Sequence, residues 1–171
     1  GVFANDTALS NSGERLLLES AAGGTLLDFT YGTAFPWPLS ANGLGRSIVL
    51  AKPSAPSDPL SWRPSAAANG NPGASDSFAR APGQSLIDYA LASPAPVFDP
   101  ATGFFTVKRR LGADAATLRP EWSANLGAWF ADSLTLISDT PDSEGNSMLR
   151  WKLDPSPPGR AFLRVRVSEE P

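Results

Sequence analysis

The chain contains neither cysteine nor histidine among its 171 residues. Without cysteine there is no disulfide and no thiolate metal site, so stability has to come from packing, hydrogen bonds and ion pairs. Without histidine, serine and cysteine triads of the usual kind are excluded, as are histidine zinc sites and the commonest general base at neutral pH. Methionine is almost absent as well: the only one is Met148, and the chain opens Gly1-Val2-Phe3, which reads as a processed product or a piece cut from a larger protein. No apolar run approaches the roughly 20 residues needed to cross a bilayer as a helix, and no signal peptide is legible at the start. A net excess of either charge is small too. The 14 basic and 17 acidic side chains are interspersed for a formal charge of −3. A nucleic-acid binder needs a basic patch that neutralises phosphates, so no nucleic-acid partner is expected.

What the chain has in quantity is turn residues, with 17 prolines and 15 glycines. Such a composition suits a β-sandwich with many turns, and a chain of this length buries roughly 70% of its unfolded surface when it folds. Two strand-length apolar runs, GERLLLE and TLLDFTY, are joined by Ala21-Ala22-Gly23-Gly24 in the manner of a β-hairpin. A Pro36-Trp37-Pro38 loop follows, then a third strand over Gly45–Leu50 and a tryptophan-anchored segment, Asp58–Arg63, ending in the Asn69–Gly73 turn. The stretch Asn42-Gly43-Leu44-Gly45-Arg46 is glycine-rich like a phosphate loop, but it leads into a strand, so no helix dipole meets a phosphate there.

Taken in order, SNSGERLLL, DFTYG, PWP, SIVL, DPLSWR and NGNPGA resemble the second half of a bacterial lamin-tail domain, an immunoglobulin-like β-sandwich. The resemblance implies a non-catalytic sandwich appended to large exported or surface proteins, with no catalytic residues to carry over. It also implies that the opening strands of that domain precede residue 1.

Small and turn-forming residues over Ala66–Pro82 read as a linker, followed by a short helix over Gln84–Leu91 with Leu86, Ile87, Ala90 and Leu91 on one stripe and Pro94 as its stop. Strand patterns then return. Phe104–Arg110 places Phe105 and Val107 inward; Leu118–Ser123 carries Pro120, which belongs at an edge or bulge; Leu134–Ser138, Met148–Asp154 and Phe162–Val167 complete the set. The order DYAL, FFTVKRR, EWSANLGAW and FLRVRV resembles the short C-terminal β-modules that close large exported proteins of planctomycete- and verrucomicrobia-type bacteria. That resemblance implies a role in surface presentation or sorting.

The fold expected is all-β: a partial lamin-tail-like sandwich over 1–76, a linker with one short helix over 77–98, and a second antiparallel module over 99–171. Candidate sites are few. The loop 139–146 gathers Asp139, Asp142 and Glu144, oxygen donors of the kind calcium accepts, yet in no recognised calcium-loop spacing; a polar hairpin tip with turn residues accounts for them, and no calcium binding is expected there. Tyr31, Trp37 and Trp62, with Trp122, Trp129 and Trp151, offer aromatic faces for a sugar ring, but Trp151 is in phase with Leu149 and Leu153 and Trp62 follows a turn as an anchor would, so core packing is the expected role, with Trp37 between two prolines the candidate for exposure. A glycosidase pair would be drawn from Glu19, Asp28, Asp88, Asp99, Glu121 and Asp132, none of which stands in a context that forces burial or pairing. The cations Lys108, Arg109 and Arg110, with Arg164 and Arg166, read as outward strand charges that discourage edge association. No cofactor is implied. The expected role is structural or adhesive, in a secreted or cell-surface setting, with a protein or cell-surface polymer as partner. A homodimer through the first module is a further expectation; the alternatives are a carbohydrate-binding module and, third, a hydrolase.

Overall fold

The computed structural model describes residues 8–92, 95–155 and 160–169. Its first element is a hairpin of β1 (Glu14–Glu19) and β2 (Thr25–Tyr31), antiparallel, with Leu16 opposite Phe29 and Leu18 opposite Leu27. Its turn forms where the sequence predicts it. Ser20 N–H donates to the Gly24 carbonyl at 2.8 Å, and Gly23 takes a φ of +80°, a backbone conformation that side chains disfavour. A second, shorter pair joins β3 (Ile48–Leu50) to β4 (Trp62–Pro64). The third strand is thus only three residues long, because Gly45 at φ +74° still belongs to the preceding turn. Asp58 caps the turn before β4 by accepting from Leu60 N–H at 2.9 Å, and Trp62 Nε1 donates to the Pro56 carbonyl at 2.8 Å.

The second half holds the larger sheet. Its strands are β5 (Val97–Asp99), β6 (Phe104–Arg110), β8 (Leu134–Pro141) and β9 (Asn146–Leu153), ordered β5-β6-β9-β8 and antiparallel throughout. A two-stranded sheet of β7 (Ala116–Ser123) and β10 (Phe162–Glu169) accompanies it. Alternation along β6 and β9 buries Phe105, Val107, Leu149 and Trp151, and Leu118 of β7 and Leu163 and Val165 of β10 pack against that cluster. The result is an all-β, sandwich-like protein. β5 went unread in the sequence because Val97-Phe98-Asp99 is too short to show a period. Pro120 sits within β7, which pairs with β10 alone among the described strands, so its missing N–H costs the ladder nothing on the other side.

The single α-helix among the described residues, α1, spans Leu86–Ala90, with Ser85 Oγ accepting from Asp88 N–H at 3.0 Å as its N-cap. Of the stripe expected it buries Ala90 and half-buries Leu86 and Leu91, but it leaves Ile87 outside and turns Tyr89 inward instead. Tyr89 and Ala90 are 1% and 2% exposed, whereas Ile87 is 57% exposed. Tyr89 turns inward because its hydroxyl reaches the Phe78 carbonyl at 2.8 Å while its ring meets Phe78 edge-on at 5.3 Å. A helix of five residues is too short for leucine and isoleucine to set its rotation against that combination. Pro94, expected as its stop, lies outside the described residues.

Candidate functional site

Three side-chain clusters are candidates, and each begins with a residue the strands place. The first is aromatic. Phe29 on β2 stacks on Trp62 of β4 with ring centroids 4.5 Å apart, and Trp37 lies 5.9 Å from Trp62. Trp37 is therefore not the exposed loop residue the flanking prolines implied: it is 9% exposed. Its burial depends on a close approach to the backbone, since a Cβ built on Gly32 would lie 2.8 Å from Trp37 Cδ1. Tyr31 donates its hydroxyl to the Ser10 carbonyl at 2.7 Å and to Glu14 Oε1 at 3.2 Å. Burial, then the adjoining Glu14, raises its pKa, so the phenol stays a neutral donor. A groove of about 540 Å³ opens beside this cluster, lined by Leu16, Leu27, Phe29, Tyr31, Ile48 and Trp62.

The second cluster centres on Arg63 of β4, 2% exposed. Its guanidinium donates to Asp114 Oδ1 at 2.6 Å and Oδ2 at 2.7 Å, to Asp76 Oδ2 at 2.5 Å and to the Pro64 carbonyl at 3.0 Å. Ser77 Oγ also donates to Asp114, and Asp76 accepts from Ala66 N–H at 3.0 Å. Burial by itself would lower the Arg63 pKa, but the two carboxylates outweigh it and raise the pKa instead. For Asp114 burial pushes upward, and Arg63 and Ser77 together hold the carboxyl below its ordinary value. Arg46 makes a second tie across the chain, donating to the Ser65 and Ala66 carbonyls and to the Asp142 carbonyl.

The third cluster is the tip of the β8–β9 hairpin, where Asp139 stands apart from the other two carboxylates considered for calcium, Asp142 and Glu144, which share Lys108. Asp139 lies on β8, where it accepts from Arg109 at 2.5 Å and from Ser147 Oγ. Asp142 organises the tip, accepting from Glu144 N–H at 2.8 Å, Asn146 N–H at 2.9 Å and Lys108 at 2.9 Å. Burial opposes its ionisation, but Lys108 and those amides hold its pKa far below the carboxylate range. Glu144 shares only Lys108, at 3.2 Å. These are the contacts of a hairpin tip. Among the described residues no group of three or more acidic side chains is placed to hold a metal.

The carboxylates weighed as a glycosidase pair are likewise dispersed. Asp28 binds Arg15 at 2.8 Å, Asp88 binds Ser85, Asp99 accepts from Ala101 N–H and Thr102, and Glu121, 5% exposed, binds Arg164 at 2.7 Å. Glu19 is exposed and Asp132 lies at the surface. The cation set also divides, because Arg109 faces Asp139 while Arg164 lies over the Trp129 ring at 3.9 Å. Trp151 belongs to the sandwich core beside Phe105.

No family model, curated protein or solved structure matches this chain.

The residues that sequence reasoning missed are Arg63, Asp76, Asp114 and Arg46. Their signal was absent in principle: Arg63 and Asp114 are 51 residues apart, and a charged residue within a strand pattern reads as solvated until its partners are seen.

Proposed function

We propose that this chain is a non-catalytic structural or adhesive module of a larger exported bacterial protein, related to the lamin-tail sandwiches and engaging a protein or cell-surface polymer. The observation that carries the reading is the use made of its aromatic residues. Trp62 stacks on Phe29 and meets Trp37 inside the first half, and Trp151 packs with Phe105 inside the second, so packing within the fold accounts for these rings and supports the structural reading. The acidic side chains support the same reading, since Asp76, Asp114, Asp139 and Glu121 each hold an arginine and thereby tie segments distant in sequence.

The test pairs a panel of chromogenic glycosides and esters with a glycan array. The expected result is no turnover and no glycan signal that depends on Trp37 or Trp62. Turnover that disappears in Glu121→Gln or Asp132→Asn, or glycan binding lost in Trp62→Ala while the fold persists, would replace the proposal with the hydrolase or the carbohydrate-binding module.

A further inference from the structure

Among the described residues the outer edge of β1 is open, since β1 pairs with β2 alone, and Leu17 and Leu18 at its centre are 46% and 56% exposed. An unpaired strand edge of this kind presents a row of free backbone donors and acceptors, which natural proteins usually guard with charge or cover. Here the charges stand at the two ends of the strand and leucines occupy the middle, in the order Glu14-Arg15-Leu16-Leu17-Leu18-Glu19.

That order is complementary to itself. When the strand is laid antiparallel to a second copy with Leu17 opposite Leu17, Arg15 of each copy falls opposite Glu19 of the other, and Leu16 falls opposite Leu18. Arg15, Leu17 and Glu19 share one face of the strand and Leu16 and Leu18 the other, so both faces match across the pair. In the single chain Asp28 on β2 accepts from Arg15 Nε and Nη2, both at 2.8 Å, so pairing across the open edge calls on the remaining Nη1 or on a turn of the side chain away from Asp28. The other edge of the hairpin lacks this property. Pairing β2 with itself around Asp28 opposes two carboxylates, and pairing around Leu27 sets Asp28 against Leu26.

We propose that a second copy of this chain docks on the β1 edge by antiparallel strand addition, giving a two-fold symmetric sheet ordered β2-β1-β1-β2. The Leu16 and Leu18 side chains of both copies then continue the apolar wall formed by Leu16, Leu27 and Phe29 in the groove beside β1. This goes beyond the functional reading above and stands or falls separately from it, because it concerns self-association and makes no reference to substrate or polymer.

The absence of cysteine allows a clean test. Residues directly opposite in an antiparallel pair have Cα atoms roughly 4.5–5.5 Å apart, within the range a disulfide accepts. Leu17→Cys should therefore yield disulfide-linked dimers on mild oxidation, while Leu26→Cys, also exposed but on β2, should not. The unmodified chain should sediment with twice its monomer mass. Arg15→Glu combined with Asp28→Asn, and separately Glu19→Arg, should each weaken the dimer about tenfold by opposing like charges. Mixing those two variants should restore a heterodimer of ordinary affinity, because the carboxylate introduced at position 15 of one copy then meets the guanidinium introduced at position 19 of the other. Misfolded variants would not produce that outcome. Monomer alone at about 100 μM, where even weak pairs are populated, would overturn the proposal. So would a mixture no tighter than either variant, or cross-linking through Leu26→Cys in preference to Leu17→Cys.

Discussion

Arg63 is almost wholly enclosed and pairs with two carboxylates, one from the segment after β4 and one from the turn between β6 and β7. Its removal takes the ion-pair partner from both Asp76 and Asp114 and leaves Asp114 only the weaker attraction of Arg109 as counter-charge. Arg63→Ala is expected to cost about 3–5 kcal/mol, the loss typical of one partner deleted from a buried pair, and urea unfolding measures it. The same cluster sets a pH dependence. The Asp114 pKa in the folded state is depressed by Arg63 and Ser77, so its contribution is present above the unfolded carboxylate value of about 4 and disappears as pH falls through the folded value. Thermal midpoints taken from pH 7 to pH 2 should fall steeply below about pH 4. In Asp114→Asn that part of the slope should be missing, and the variant should already be less stable at neutral pH.

At the scale of elements, the placement of α1 and of the Pro36-Trp37-Pro38 loop is decided by one aromatic ring each. Tyr89→Phe removes the part-buried bond to the Phe78 carbonyl, so it should cost about 1 kcal/mol, while Ile87→Ser on the exposed side should stay within about 0.5 kcal/mol. A result in the opposite order would show that α1 docks by its aliphatic stripe. Gly32→Ala is expected to displace Trp37, because the added methyl would lie 2.8 Å from the indole. A red-shifted tryptophan emission together with lower stability would report the indole moving toward water.

For the whole molecule, the ties that matter run between the halves. Arg63 reaches Asp114, Arg46 reaches the Asp142 carbonyl, and Lys52 lies 3.5 Å from Thr117 Oγ1. Circular dichroism, which follows the sheets, and tryptophan emission, to which Trp37 and Trp62 contribute, should therefore report one coincident unfolding transition. Two separated transitions, with the earlier confined to tryptophan emission, would mean that the halves unfold independently despite those bonds.

Several features were legible in the chain alone because their causes are local. The β1–β2 hairpin follows from two apolar runs around Gly23-Gly24, and the inward sets Phe105 with Val107 and Leu149 with Trp151 and Leu153 follow from the two-residue period of a strand. The all-β class follows from those periods and the turn residues between them. Tertiary structure alone decided what the periods do not encode. It turned Trp37 inward, chose Tyr89 over Ile87 for the buried side of α1, gave Asp139 to Arg109 and Asp142 with Glu144 to Lys108, and enclosed Arg63 between two aspartates. A pattern of apolar residues records which way a side chain points along its own strand. Whether a charge or a ring is buried depends on a partner brought from elsewhere in the chain, and only the folded molecule supplies that partner.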